Sequence, residues 1–227
     1  MSLNNDYKNR FDEDGFLILR GILGAEEIHK YQQVIEVLLE ELRQEGAYPT
    51  SGVFVGLSIR KELFRQLHRD PRIVDVLGAI MGPKVEFWSD KVVFKPAGEA
   101  TPWHHDWSYW QGSNKYSVTI AFDDMTPENG CLRFVRGSHK LNLPSHRPLE
   151  AHSFGNQVDA SLFDEANVVD APMAAGDMTF FHDLAVHSSF SNALGTQRRT
   201  ANLTYRITDA EDPPYESATA REVVRGL

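Results

Sequence analysis

The chain has 227 residues, a length that suits one large domain or two small ones. Hydrophobic residues make up 41% of it and charged residues 24%, as in ordinary globular proteins, so the composition argues against a disordered or low-complexity chain. The formal net charge is −9, from 23 Lys and Arg against 32 Asp and Glu. This balance argues against nucleic acid or an anionic membrane surface as the partner and favours a small molecule or a protein.

The chain contains one cysteine, Cys131. It therefore has no internal disulfide and no zinc site built from several thiolates, which fits a reducing compartment. The first twenty residues lack the cationic start and long apolar stretch of a signal peptide, and no window approaches 18 apolar residues. We expect a cytoplasmic protein.

The first third of the chain has mostly helical periodicity. A short apolar run at residues 16–20 predicts a strand, and residues 25–45 carry the apolar stripe of an amphipathic helix. Residues 46–58 are interpreted as a loop. Two shorter helices are predicted at residues 61–68 and 71–81.

The pattern changes after Gly82 and Pro83, where β-branched and aromatic residues predict short strands. Because no helices intervene, a sandwich, jelly roll or small barrel is favoured over a parallel sheet. With no repeat and no linker, we expect a single domain over residues 1–227. The predicted strands are one or two at residues 84–95, then 116–122, 132–135, 178–181 and 201–207.

Residues 141–170 have little periodicity and exceed the usual length of a structureless loop. They are either a plain surface insertion or, with residues 46–58, a lid over a binding site. In the second case both segments should be the most mobile ordered parts of the protein and should close over substrate.

A histidine and an aspartate two residues apart lie in the sequence WHHDW. In an extended strand His104 and Asp106 would point to the same face, while His105 would turn away. A later histidine on a neighbouring strand would complete two imidazoles and one carboxylate, the ligand set of non-haem Fe(II) oxygenases. Catalytic zinc sites use the same set, so both metals are open on this pattern alone.

A second cluster of polar residues follows an apolar run in residues 176–199. His187, Ser189, Asn192 and Arg198 come in this order. An arginine fork binds a carboxylate bidentately and a nearby hydroxyl adds a hydrogen bond, which suits the far end of a dicarboxylate such as 2-oxoglutarate.

Several ordered segments together resemble the phytanoyl-CoA dioxygenase family of Fe(II)- and 2-oxoglutarate-dependent oxygenases. The resemblance covers most of the chain. It implies an α+β fold with a double-stranded β-helix core, the cupin-like jelly roll, and buttressing helices mainly from the N-terminal third. The segments are FDEDGFLILRGIL, KELFRQLHRDPRIVDVLGAIMGPKV, TPWHHDWSYW, PENGCLRFVRGSHK and GDMTFFHDLAVHSSFSN with the arginine that follows.

The resemblance implies that His104, Asp106 and His187 hold Fe(II). It also implies hydroxylation of a small-molecule metabolite with dioxygen, accompanied by conversion of 2-oxoglutarate to succinate and CO2. Related halogenases have a small residue at the position of Asp106, so hydroxylation is favoured over halogenation, while desaturation and ring formation stay open as alternative reactions. A cupin-like metalloenzyme that does not use 2-oxoglutarate and a non-catalytic binding protein on the same fold are the two alternatives.

For the co-substrate, the resemblance implies that Arg198 pairs with the distal carboxylate of 2-oxoglutarate and that Ser189 assists. Arg199 is the second candidate for this role. Further contacts with the co-substrate are expected from His105 and Lys91, while Thr119 replaces a tryptophan found near the co-substrate in some relatives.

Other histidines and aromatic residues are interpreted as structural. His182 could be the third metal ligand by composition, but the offsets to Ser189 and Arg198 hold only from His187, so we expect it beside the site. His139 lies in a turn typical of the family, and Asn192 is expected to orient its loop. Five aromatic residues near the first ligands form either core or a pocket wall: Trp88, Trp103, Trp107, Tyr109 and Trp110.

Overall fold

The computed structural model describes residues 3–49, 51–147, 155–212 and 221–226. Five of its helices and two short strands precede residue 82. They are α1 Leu3–Asp14, β1 Phe16–Leu19, α2 Ala25–Gln44, β2 Val53–Val55, α3 Leu57–Arg60, α4 Glu62–Leu67 and α5 Pro71–Met81.

The rest of the described chain is mainly strand. These elements are β3 Val85–Phe94, β4 Thr101–His104, α6 Trp107–Trp110, β5 Lys115–Ala121, β6 Leu132–Val135, β7 Val168–Ala171, β8 Met178–His182, β9 His187–Ser189, β10 Arg199–Ile207 and β11 Glu222–Arg225. Short 3-10 turns lie at Pro127–Asn129, Ser138–Lys140, Ala160–Leu162 and Glu165–Asn167.

Over the described residues the strands form two antiparallel sheets. The larger has the order β1-β8-β5-β10-β3-β11, with β2 also paired to β3, and the smaller has the order β4-β9-β6-β7. Phe16 and Phe181 of the large sheet pack against Phe134 of the small one. Two facing antiparallel sheets with such crossed connections make a jelly roll, which confirms the predicted fold class.

The large sheet has one apolar face and one polar face because its strands alternate. In β5, Val118 and Ile120 join the main core against the helices, whereas Thr119 points the other way, into the space between the sheets. Leu203 and Asn202 of β10 divide in the same way. The polar face therefore lines the interior of the jelly roll.

Most predicted elements are present, with boundaries moved by one or two residues. The sequence patterns correctly predict the positions of α2, α4, α5, β5, β6, β8 and β10. The segment of residues 84–95, predicted as one or two strands, forms the single strand β3. Helix α1 was not predicted because its segment is mostly polar, although Tyr7 and Phe11 pack in the main core.

The two proposed lid segments are more ordered than expected. Residues 46–58 contain β2, which pairs with β3, and the start of α3, so the prediction of a plain loop is wrong. The second segment contains two 3-10 turns and most of β7. Residues 148–154 of this second segment lie outside the described residues.

No helix among the described residues is long and apolar enough to cross a membrane.

Candidate metal centre and its cavity

Two histidines meet across the small sheet. His104 is the last residue of β4, His187 is the first of β9, and the two are directly paired in the antiparallel register. Their ring centroids are 4.1 Å apart. Together with Asp106 they form a buried group whose ligand atoms all lie within 4.8 Å of one another, close enough to hold one metal ion.

Backbone carbonyls fix the orientation of both imidazoles. Nδ1 of His104 lies 2.9 Å from the carbonyl oxygen of Pro102, and Nδ1 of His187 lies 2.9 Å from that of Ala185. A carbonyl only accepts, so each Nδ1 carries the hydrogen and donates it. The Nε2 atoms then present lone pairs toward Oδ1 of Asp106, at 3.8 Å and 3.9 Å. This tautomer and orientation are what metal-binding histidines need.

Asp106 reaches the histidines by a different route from the predicted one. Strand β4 ends at His104, and Asp106 has the helical dihedrals φ −69° and ψ −29° at the start of α6. The strand-alternation argument for this pair is therefore wrong, although the two side chains do converge. The Ser117 hydroxyl donates to Oδ2 of Asp106 over 3.4 Å, which leaves Oδ1 toward the histidines.

The protonation states also suit a cation. Burial, helped by the neighbouring His187, lowers the pKa of His104 to about 3, so its ring is neutral at pH 7. Burial opposes ionisation of Asp106, but electrostatic interaction with His187 and Lys91 outweighs it and holds the pKa of the carboxyl below its usual value. The group thus offers a neutral imidazole at His104 and an ionised carboxylate at Asp106.

A cavity of about 140 Å³ extends from these three residues between the sheets. Most of the residues that line it are polar or charged, and three of them are cationic. The lining residues are Val53, Lys91, Val93, Lys95, Thr101, His104, Asp106, Thr119, Leu132, His187, Ser188, Ser189, Arg198, Thr200 and Asn202.

Arg198 is a buried cation at this cavity. It is 4% exposed, its Nε has no hydrogen-bond partner, and burial lowers its pKa to about 10. Among the described residues this guanidinium forms no salt bridge, and a buried charge that is not neutralised is costly, so its retention points to an anionic ligand. Ser189, two residues after His187 in β9, lines the same cavity.

The side chain of the adjacent Arg199 lies on the opposite face of the sheet. Its Nε and one terminal nitrogen donate to the two oxygens of Asp123 over 2.8 Å and 2.7 Å, and its other terminal nitrogen donates to Glu36 over 2.7 Å. Arg199 is not part of the cavity wall, and its charge is already paired.

The remaining predicted co-substrate contacts divide into two groups. Lys91 and Thr119 line the cavity, with Thr119 Oγ1 donating to Asn202 Oδ1 over 3.2 Å. His105 does not line it, because its side chain turns away and its Nε2 lies 3.1 Å from the carbonyl oxygen of Leu143.

His182 lies apart from the metal-binding group, packed between Tyr116 and His139 at ring distances of 5.3 Å and 5.6 Å. Its Nδ1 accepts from the amide of Leu184. Asn192 donates to the carbonyls of Lys95 and Thr196 and so orients its loop. These positions agree with the interpretation of His182, His139 and Asn192 as structural residues.

The five aromatic residues do not line the cavity, so they are not its wall, and the core interpretation fits Trp88 and Trp110. Trp88 and Trp110 are buried, and Trp103 packs edge to face on Phe163. Tyr109 is 39% exposed.

The described part of residues 141–158 is attached to the segment that carries the metal-binding group. The amide of Val158 donates to the carbonyl of Trp103 over 2.8 Å, and Asn156 donates to the carbonyl of Ser108 over 3.1 Å. Movement of this segment would therefore be transmitted to the turn between His104 and α6.

Sequence reasoning missed Lys95. Its Nζ donates to Ser189 Oγ over 2.6 Å and to Thr101 Oγ1 over 2.9 Å inside the cavity. The available signal was strand alternation, since Lys91, Val93 and Lys95 follow one another at two-residue steps and share a face.

The profile of the phytanoyl-CoA dioxygenase (PhyH) family matches residues 11–201. The chain belongs to the phytanoyl-CoA dioxygenase family. This confirms the resemblance drawn from the sequence motifs, and the matched region contains the metal-binding group and Arg198.

Curated relatives in this family act on small molecules. The chain is 28% identical over 238 residues to the L-proline trans-4-hydroxylase of Streptomyces griseoviridis, covering 92% of this chain and 89% of that enzyme. It is 29% identical over 153 residues to a probable alpha-ketoglutarate-dependent hypophosphite dioxygenase of Stutzerimonas stutzeri, a match that covers 63% of this chain and spans about half of that relative, 53%.

Among solved structures, the non-heme monooxygenase ThoJ in its apo form superimposes with a TM-score of 0.84 at 25% sequence identity. The superposition covers 98% of this chain and 84% of ThoJ. Nearly the whole fold is thus shared with a non-haem oxygenase.

Proposed function

We propose that this protein is an Fe(II)- and 2-oxoglutarate-dependent dioxygenase that hydroxylates a small-molecule substrate and releases succinate and CO2. One observation carries the proposal. Two buried histidines and the partly buried Asp106 open onto a cavity that is also lined by Arg198, which forms no salt bridge among the described residues. The names of the two curated relatives, a hydroxylase and an alpha-ketoglutarate-dependent dioxygenase, support it.

In this proposal His104, Asp106 and His187 are the iron ligands. Neutral imidazole and carboxylate are the donors of the non-haem iron facial triad, and one-sided coordination leaves positions for the co-substrate and dioxygen. Bound there, Fe(II) supplies the activation of dioxygen for attack on a C–H bond. The backbone carbonyls at Pro102 and Ala185 hold the two rings in the tautomer that presents Nε2.

The protein's own contribution is orientation and exclusion of water. Arg198 and Ser189 would bind the distal carboxylate of 2-oxoglutarate, so that its 2-oxo acid end points to the metal-binding group. The cationic Lys91 lies in the same wall, where it helps to keep Asp106 ionised. Because the cavity lies between two packed sheets, water has restricted access to the reacting atoms.

The decisive experiment is anaerobic titration of 2-oxoglutarate into the Fe(II)-loaded protein. The proposal expects a weak metal-to-ligand charge-transfer band that saturates at one equivalent. A metal centre that binds Fe(II) but gives no band would favour a cupin-like metalloenzyme without 2-oxoglutarate. Succinate release on admission of air, even uncoupled from substrate, separates an enzyme from a binding protein.

A screen of metabolites for stimulated succinate release would then identify the substrate.

The proposal includes a single domain over residues 1–227 and a cytoplasmic location. The continuous core across helices and large sheet supports the first, and the single, buried cysteine supports the second.

A further inference from the structure

Two cationic residues of the cavity wall, Lys95 and Arg198, are neighbours, since the amide of Lys95 donates to the carbonyl of Arg198 over 3.0 Å. Lys95 is 9% exposed and Arg198 is 4% exposed. Neither side chain forms a salt bridge within the described part of the chain; Lys95 donates only to the hydroxyls of Thr101 and Ser189. Their proximity is unfavourable in the ligand-free protein, because each charge repels the other and both have lost water.

Two buried like charges with no carboxylate between them destabilise the folded protein, so stability alone does not explain them. A lysine kept only for packing would be better replaced by an apolar side chain of similar volume. The arrangement becomes favourable when an anion bridges both groups, since each charge then gains a charge-assisted hydrogen bond.

We propose that Lys95 is a second co-substrate-binding residue, which joins Arg198 in holding the distal carboxylate of a 2-oxo dicarboxylic acid. This inference rests on the proposed function. It extends that function by assigning to Lys95 much of the selectivity for a co-substrate with two carboxylates over a 2-oxo monocarboxylic acid.

The hydrogen bond from Lys95 to Ser189 gives the lysine a second effect. An ammonium group only donates, so Ser189 Oγ accepts from it and must direct its own hydrogen elsewhere. Ser189 lines the cavity, and its remaining hydrogen can then be donated to the incoming carboxylate. Lys95 thus binds the carboxylate and also orients the hydroxyl beside it.

The test compares two ligands by anaerobic calorimetry with the Fe(II)-loaded protein. One is 2-oxoglutarate, and the other is 2-oxopentanoate, which has the same carbon chain without the distal carboxylate. The variants are Lys95→Met, which keeps the length of the side chain without its charge, and Lys95→Arg, which restores the charge. Lys30→Met removes the same charge from an exposed position of α2 and is the matched control.

Lys95→Met should weaken 2-oxoglutarate binding tenfold or more and change 2-oxopentanoate binding less than threefold. Lys95→Arg should recover at least threefold of the lost affinity, and Lys30→Met should stay within twofold of the wild type. The melting temperature of ligand-free Lys95→Met should not fall, because the substitution removes a desolvated charge rather than a salt bridge.

Two results would overturn the inference while leaving the proposed function intact. The first is a Lys95→Met protein that binds 2-oxoglutarate within twofold of the wild type. The second is equal loss of both ligands together with a lower melting temperature, the signature of a structural lysine. Failure of the wild type itself to bind 2-oxoglutarate would overturn the proposed function, and the inference with it.

Discussion

His104 and His187 are separated by 82 residues in the chain, yet they are direct cross-strand partners whose ring centroids lie 4.1 Å apart. The pairing of β4 with β9 therefore builds the metal-binding group, and each ring is held by a carbonyl two residues before it. The same hydrogen bond, from Nδ1 to the carbonyl two residues earlier, therefore turns both Nε2 atoms toward Asp106.

His187→Ala should abolish stoichiometric Fe(II) binding while leaving the far-ultraviolet circular dichroism unchanged, since it removes one of three ligands and little core volume. His182→Ala is the comparison, because His182 is buried in the same segment but lies outside the metal-binding group. Anaerobic metal titration of both variants decides between the two histidines. Loss of iron from the His182 variant alone would contradict the assignment.

Arg198→Ala should weaken 2-oxoglutarate binding by about 2–4 kcal/mol, because a carboxylate loses its charged partner. Its ligand-free stability should not decrease. Arg199→Ala should do the reverse, lowering the free energy of unfolding by about 1.5–3 kcal/mol through loss of the bonds to Asp123 and leaving co-substrate affinity nearly unchanged. Calorimetry and urea unfolding separate the two effects, and small equal losses of affinity would argue against the pocket.

Co-substrate affinity should depend on pH through Lys95, whose pKa burial and the nearby Arg198 lower to about 8. Below this pKa the ammonium is charged and affinity is constant. Above it the charge is lost from the free protein and 2-oxoglutarate affinity falls, by at most tenfold per pH unit. The groups facing Lys95 are the hydroxyls of Thr101 and Ser189, the cation Arg198 and, more distantly, the anion Glu99.

The pKa of Arg198, lowered to about 10, lies above this pH window, so its charge persists. The decline between pH 8 and pH 9 should therefore disappear in Lys95→Met. Affinity measured by calorimetry across pH 6.5–9 tests this, and an identical pH profile in the variant would assign the decline to another group.

Gly130→Ala should destabilise the protein and weaken 2-oxoglutarate binding. Gly130 has φ +94°, and an added Cβ would lie 2.9 Å from the carbonyl oxygen of Phe190 and 3.2 Å from Lys95. We expect a loss of at least about 1 kcal/mol in unfolding free energy from the left-handed conformation, with further loss from the clash. The clash would also displace Lys95.

Gly195→Ala is the matched control, since it has φ +62° but only ordinary contact, with Ala97 at 3.5 Å. It should lose stability and keep its co-substrate affinity. Thermal unfolding combined with calorimetry compares the two, and equal affinities would show that Gly130 has no effect on Lys95.

Binding of 2-oxoglutarate should slow hydrogen exchange in β2. Val53 lines the cavity, and β2 is a three-residue strand at the edge of the large sheet that pairs with β3 alone among the described strands. Such a strand opens easily, and ligand in the cavity would stabilise its closed position. Exchange measured with and without 2-oxoglutarate in the Fe(II) protein tests this, with β5 in the centre of the sheet as the reference.

The family and the helices with a clear apolar stripe could be predicted from the residues alone. The offsets from His187 to Ser189 and Arg198 are local in the chain, and in the fold all three residues line the cavity. Strand alternation was likewise readable in β5 and β10, since one face must be apolar to cover the helices. These features depend on neighbours within a few residues.

Which cations line the cavity without a salt bridge among the described residues depended on how distant strands come together. Arg198 and Arg199 are indistinguishable by composition, but alternation at the start of β10 sends one into the cavity and the other to Asp123 and Glu36. The proposed role of Lys95 in co-substrate binding depends on its contact with Ser189 of β9, which lies 94 positions further along the chain. The physical reason is that burial and charge pairing are set by contacts between distant strands, which no local pattern encodes.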